Sequence, residues 1–530
     1  MKYPAGLAIL WSPFFVAGHW VAGWTGQPQD GFSTPYQWAL MVAALVYMLA
    51  GLLVLRKVLR AFFGEGITTA VLALVVTGTN YFHQAIYSTG MPHVFLFTLG
   101  AGVLWHSVKW HRMRRRRDSW ILGVLLGLLA IARPSEVVWG LVPLLVGWFD
   151  ASTWRDHLRM LWSRRTHMLI MAGTALLVCL PQLVYWKWMT GHWLYMSYNN
   201  PGEGFEFLHP YTWEVLFSFR KGWYIYTPMM LVATLGLFLL RRYAAEVRWP
   251  VIVFFVLNLF VVSSWSCWWY ADSFGQRALV QCYPLMALPL GAALCWLAQR
   301  CIWARIPGVV LLLALVVLNL FQTHQSINGL IHTSRMTWPA YKAVFGTMTA
   351  PPDLDRLFSV ARSYTGEEGV PDRTRYTQLS LARMRFDLPA AEGRDPGYRD
   401  TTAFAGSGAF RLERGREFSP SWRTTWQELT NCDHVWLEVS CRVQRPLDGS
   451  TPGVTLVTTF EHEGHSYAYA TKDATLNEVA PGEWQRLTLW YLSPEVRRPT
   501  DPVTAYCWLR DTLPALIDHM EVVLYEPRGK

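Results

Sequence analysis

The chain has 530 residues, of which 52% are hydrophobic and 16% charged, against roughly 25% charged in ordinary globular proteins. Long apolar runs such as Trp38–Leu55, Val251–Val262, Leu279–Ala298 and Ile306–Phe321 argue against a soluble multidomain protein and for repeated membrane segments. The net charge of +10 resides in short loops between these runs, which fits the positive-inside rule and not a nucleic-acid footprint.

Residues 5–24 are the first apolar stretch. Pro13, several glycines and alanines, and His19, Trp20 and Trp24 suit a helix lying in the outer interface as well as one that spans. Beyond it the basic loops set direction. Residues 36–58 run inward to Arg56, Lys57 and Arg60, 66–88 return, and 92–110 lead to the block Lys109–Arg117. Segments 119–132 and 137–149 are each short for a hydrocarbon core of about 30 Å, so they are expected to meet below the outer surface at Arg133-Pro134-Ser135-Glu136. Residues 167–187 go out, 223–240 in, 249–268 out, 278–298 in and 306–324 out, which puts every basic cluster on one side. The expected placement is multi-pass in the cytoplasmic (inner) membrane of the cell envelope, with everything after about residue 325 periplasmic or extracellular.

The expected division is a helical transmembrane domain over 1–345, a linker over 346–400 and an all-β sandwich over 401–530. In His434–Val443, Val435, Leu437, Val439, Cys441 and Val443 alternate with polar or outward residues, and further strand-like runs follow at 453–461, 466–471, 484–492, 503–509 and 519–525. Eight cysteines are scattered without a C-x-x-C pair or histidines at zinc spacing. Among Cys432, Cys441 and Cys507 a disulfide is admissible.

Ionisable residues at membrane depth are costly and therefore candidates for function. Arg133 can hold a phosphate through paired N–H bonds, or close a hairpin by pairing with Glu136. Arg220 and Lys221, adjacent cations among aromatics, suit a lipid phosphate or diphosphate, or snorkel at the interface. The stretch Trp265–Arg277 gathers Asp272, Gln276 and Arg277 on a glycine-containing turn. Its Trp268, Trp269 and Tyr270 suit stacking on a sugar ring, or an interfacial belt. Walker, G-x-S-x-G, H-E-x-x-H and dinucleotide motifs do not occur.

Several short segments in order resemble a bacterial branch of the GT-C-type polytopic glycosyltransferases. They are Lys2-Tyr3-Pro4-Ala5-Gly6 with Ser12-Pro13-Phe14-Phe15, Asp30-Gly31-Phe32-Ser33, Gly90-Met91-Pro92-His93, Arg133-Pro134, Phe219-Arg220-Lys221-Gly222-Trp223 and Ser273-Phe274-Gly275-Gln276-Arg277. The resemblance covers roughly residues 1–345, and the tail resembles jelly-roll-like, carbohydrate-binding-type sandwich modules generically.

What the resemblance implies is transfer of a sugar from a polyprenyl-phosphate donor to a glycan, glycolipid or protein acceptor on the outer face, with no nucleic-acid partner. Lys2, Arg133, Arg220, Lys221 and Arg277 would bind the donor phosphate. A divalent cation is admitted by the class, but no ligand set for one is visible. The family's acidic catalytic residue sits in a first outer loop, before the Lys-Tyr-Pro segment. A helix and an acidic loop are therefore expected upstream of Met1; otherwise Asp30 or Asp272 serves as base, or the protein is inactive. A transporter or flippase of lipid-linked sugars is the alternative, and would be expected to show repeated halves. A membrane-anchored glycan-binding protein without catalysis is a further one.

Overall fold

Where water is absent, the backbone must satisfy its own N–H and C=O groups, so long apolar runs become helices. The computed structural model describes residues 4–195, 203–362, 369–386 and 402–528, which divide at Phe358 and Ser359 into two compact units.

In the helical unit, α1 (Gly6–Trp24) and α2 (Thr34–Arg60) form a hairpin. Gly18 lies against Pro35 and Tyr36, and the Leu10 carbonyl accepts from the Tyr47 hydroxyl at 3.4 Å. The span expected at 66–88 is divided into α3 (Glu65–Thr77) and α4 (Tyr81–Ile86). Asn80, between them, is drawn into tertiary bonds: its Nδ2 donates to the Phe274 carbonyl at 3.1 Å and its Oδ1 accepts from the Tyr283 hydroxyl at 2.5 Å. Next come α5 (His93–Met113) and α6 (Arg116–Ala132), then a 3-10 turn (Pro134–Gly140) and α7 (Leu141–Leu145). Two further helices, α8 (Trp154–Ser163) and α9 (Arg165–Thr190), complete the first half.

After α10 (Thr212–Phe217), the span expected at 223–240 is in pieces: α11 (Trp223–Tyr226), α12 (Met229–Gly236) and α13 (Leu240–Tyr243). Pro228 opens α12 and keeps Thr227 out of helical geometry, which separates the first two pieces. The next helix, α14 (Arg248–Ser263), stops five residues short of its expected end. The carbonyls of Ser263 and Ser264 there accept the N–H groups of Tyr211 and Glu206, both at 2.7 Å. A 3-10 turn (Arg277–Cys282) leads into α15 (Tyr283–Ala298), followed by α16 (Ile302–Ile327), α17 (Trp338–Val344) and α18 (Leu354–Leu357).

Among the described residues six helices are long and apolar enough to cross a bilayer. Several carry exposed apolar stripes, such as Met41, Val42, Leu45, Leu49 and Leu53 on α2 and Val310, Leu313, Val317 and Leu320 on α16. Stripes of that length belong against lipid. The chain is a multi-pass membrane protein.

The second unit is two antiparallel sheets. One has the order β1 (Tyr376–Met384), β9 (Ala515–Pro527), β4 (Trp436–Gln444), β7 (Trp484–Leu492), with β2 (Phe410–Leu412) also on β9. The other runs β3 (Trp422–Thr425), β8 (Pro502–Leu509), β5 (Val454–His462), β6 (His465–Asp473). Late strands inserted between early ones in both sheets make a jelly roll. Leu437, Val439, Cys441 and Val443 of β4 meet Phe460, Val503, Ala505 and Cys507 of the other sheet in a shared core. Cys432, Cys441 and Cys507 are free thiols. Within the stretch expected as linker, Tyr376–Met384 is the edge strand β1, paired with β9. It lacks the apolar alternation of β4 because its residues are mostly exposed.

Candidate functional site

The segment after α14 folds back on itself because three of its residues take left-handed backbone conformations: Tyr270 (φ 42°), Asp272 (φ 54°) and Gly275 (φ 60°). Only glycine fits the last position without strain, since a Cβ there would lie 3.0 Å from that of Tyr226. For Tyr270 and Asp272 the conformation costs about 1 kcal/mol each, and it has to be held in place. The Tyr270 hydroxyl donates to the Val262 carbonyl at 3.0 Å, Gln276 Nε2 to the Trp268 carbonyl at 2.9 Å, and the Asp272 N–H to Ser334 Oγ at 3.2 Å.

Lys221 reaches this loop from the turn between α10 and α11. Its side chain is 1% exposed, and its ammonium donates to the carbonyl and to Oγ of Ser273, the latter at 3.1 Å. Burial, reinforced by the nearby charges of Arg277 and Arg220, holds the amine well below the usual lysine range, while Asp272 pulls the other way. The Arg220 guanidinium stacks over Trp269 at 4.1 Å, and its Nε donates to the Ser334 carbonyl at 2.7 Å. Arg277 Nη1 faces the Met91 sulfur at 3.3 Å, a weak acceptor for a guanidinium.

Arg133 enters from the end of α6, its guanidinium 5.7 Å from the Tyr270 ring and its Nη1 3.9 Å from Glu136 Oε1. That Nη1 is buried without a hydrogen-bond acceptor among the described residues. Glu136 is 1% exposed and already committed: Oε2 accepts from Trp139 at 3.2 Å and Oε1 from Gln281 Nε2 at 3.0 Å. Burial and the Arg133 charge push the Tyr270 phenol in opposite directions, and burial wins, to about 12.

The structure thus brings Arg133, Arg220, Lys221, Arg277 and Asp272 to one loop, with Trp268, Trp269 and Tyr270 on it. One face of Trp269 is occupied by Arg220, and Tyr270 is tied down at its hydroxyl. Asp30 is placed otherwise. Its carboxylate accepts from the N–H groups of Phe32 and Ser33, at 2.8 and 2.9 Å, in the turn that starts α2. Those bonds hold its pKa below the ordinary carboxylate value. Lys2 lies outside the described residues. Among the described residues no group of three or more His, Cys, Asp or Glu side chains gathers as a metal ligand set, and Glu136 is already engaged.

No protein-family model and no curated protein matches the chain. Among solved structures it is similar to arabinosyltransferase EmbB from Mycobacterium smegmatis, at 11% identity, with a TM-score of 0.30. The match covers 91% of this chain and 57% of that one, so the chain spans little more than half the neighbour's length. A superposition at that score has no bearing on function.

The segment after α16 also belongs to the site and carries no motif of its own. Thr333 Oγ1 donates to Asp272 Oδ1 at 3.4 Å, and Ser334 takes part in holding both Asp272 and Arg220. Leu330, Ile331 and Met336 anchor it in a small apolar core with Tyr226 and Phe274. The one sequence signal was the polar run His332-Thr333-Ser334-Arg335, separated by four residues from the end of an apolar helix at Ile327.

Proposed function

We propose that this protein is a membrane glycosyltransferase that moves a sugar from a polyprenyl-phosphate donor to an acceptor on the outer face of the cytoplasmic membrane. The observation that carries this reading is the convergence of Arg133, Arg220, Lys221 and Arg277 on the loop of residues 265–277, where cations outnumber carboxylates. A phosphate on a lipid tail matches that arrangement. It supplies acceptor oxygens for the buried guanidinium nitrogen, and it restores the charged form of Lys221 that burial disfavours.

Transfer breaks the bond between the anomeric carbon and the phosphate oxygen, and the phosphate leaves with the electron pair. Lys221 and the arginines stabilise the charge that grows on it. Asp272 is the exposed carboxylate of the cluster and takes the proton of the attacking hydroxyl. Trp268, packed edge-on to Trp269 with ring centres 5.9 Å apart, offers the aromatic surface for the sugar.

The test is a transfer assay of the purified full chain with a panel of radiolabelled polyprenyl-phosphate sugars and membrane acceptor. Labelled product with the wild type, lost in Asp272→Asn, is expected. Absence of product with every donor, together with movement of lipid-linked sugar across proteoliposomes, would replace the transferase with a transporter.

A further inference from the structure

At the end of the helical unit marked by its basic loops, an open cavity of about 330 Å³ lies between the end of α5 and the α8–α9 junction. It is lined by Arg114, Met160, Ser163, Arg164 and His167. The two arginines are close enough for their charges to repel. Arg114 is held there by a left-handed backbone (φ 56°) that ends α5. Arg164 lies over the Trp110 ring at 5.3 Å.

The histidine adds a donor. Indole N–H groups only donate, and Trp110 Nε1 lies 3.1 Å from His167 Nδ1, so Nδ1 is the unprotonated nitrogen and a neutral ring carries its proton on Nε2. Ser119 Oγ also lies 3.2 Å from Nδ1. The buried carboxylate of the adjoining α6, Asp118, turns Oδ1 to His106 at 2.7 Å and Lys109 at 3.8 Å. Arg164 Nη1 also donates to the Trp110 carbonyl at 3.4 Å, but neither arginine of the cavity wall has a carboxylate partner among the described residues, so the cavity is a donor-rich cup.

Its surroundings say which anion. The adjoining α8 is amphipathic, with Trp154, Leu158 and Trp162 exposed at four-residue spacing along one face and Arg155, Asp156 and Arg159 on another. Arg155 and Arg165 lie over Trp154 and Trp162, at 5.5 and 5.8 Å. Such a helix lies in a membrane interface with its tryptophans at head-group depth. From these observations we infer that the cavity is a phosphate site for an anionic phospholipid head group, seated beside α8 at the basic end of the bundle. Arg114, Arg164, Ser163 and the His167 Nε2–H bind the phosphate, and the apolar face of α8 accommodates the acyl chains.

The test uses the full chain in detergent, following its thermal unfolding during titration with short-chain phosphatidylglycerol, short-chain phosphatidylcholine and inorganic phosphate. Phosphatidylglycerol is expected to stabilise the wild type, and Arg114→Gln and Arg164→Gln each to weaken that by about fivefold. Arg159→Gln, an equal loss of charge on the polar face of α8, is expected to leave the titration unchanged. Arg114 is exposed, so its variant folds even if the Arg164 variant does not. Equal titrations for Arg114→Gln and the wild type, or equal stabilisation by phosphatidylcholine, would overturn the site. Inorganic phosphate acting as strongly as the lipid, with the same dependence on Arg114, would keep the anion site and overturn its lipid occupant.

Discussion

Buried charge is handled in opposite ways in the two units. In the sandwich, Asp518 is fully buried and its oxygens are filled by backbone donors: Phe404 at 2.9 Å, Ala405 at 3.2 Å and His519 at 2.6 Å. Asp501 likewise accepts from the Arg498 N–H at 3.1 Å and meets His462 at 2.7 Å. These carboxylates pin loops to strand ends, and the fold explains them completely. In the helical unit, Lys221 is equally buried and donates to Ser273, but it lies among Arg220 and Arg277 with Asp272 as the opposing charge, and Arg133 Nη1 has no acceptor among the described residues. Grouped like charges in a low-dielectric site cost several kcal/mol, more than the anchoring of Ser273 returns. On the proposed reading, the comparison separates charge that serves the structure from charge that serves a ligand.

The sharpest way to break that comparison is at Lys221. Lys221→Met and Arg277→Gln are expected to lower sugar transfer by about 10²–10³-fold, the range for losing a preorganised donor to a leaving group. Thermal unfolding should show both variants folded and close to the wild type, because the repulsion each relieves offsets the bonds it loses, those of Lys221 to Ser273 among them. Collapse of the fold instead would put Lys221 in the same class as Asp518. Asp518→Ala is the converse. It leaves buried N–H groups without partners and is expected to cost about 3 kcal/mol in chemical denaturation, while turnover per folded molecule stays unchanged.

A smaller effect is expected at Arg133. Arg133→Gln should raise the KM for the lipid donor by about tenfold with little change in kcat, as suits a binding contact made before and during the reaction. The smallest concerns Asp30, whose folded pKa is depressed by the Phe32 and Ser33 N–H groups. Its stabilising effect is fully present above the unfolded carboxylate value of about 3.9 and is lost as the pH falls through the lower folded value. Asp30→Asn should therefore flatten a shallow acid-side loss of thermal stability and leave transfer intact. Loss of transfer in that variant would make Asp30 the base in place of Asp272.

The helices were legible because lipid-facing runs such as Trp38–Leu55 have one dominant requirement, and β4 because burial of one face writes alternation into the sequence. Breaks at Asn80 and Ser263 were not legible, since each depends on a partner far along the chain: Phe274 and Tyr283 for Asn80, Tyr211 for Ser263. Strand β1 escaped notice because an edge strand with mostly exposed residues carries no alternation. At the site, the cations and the loop of 265–277 stood out as charge at membrane depth. The contribution of Thr333 and Ser334 did not, because small hydroxyl residues after a helix look like any polar tail until the fold sets them against Asp272 and Arg220.

The most direct measurement of the central claim is photolabelling of the full chain by a diazirine-bearing polyprenyl phosphate, with the adducts located by peptide mass spectrometry. Adducts confined to residues 265–277 and 217–224, and competed away by unlabelled polyprenyl phosphate, are the predicted result. Adducts spread along the lipid-facing stripes of α2 and α16, insensitive to competitor and unchanged in Lys221→Met and Arg277→Gln, would contradict a phosphate site in this cluster.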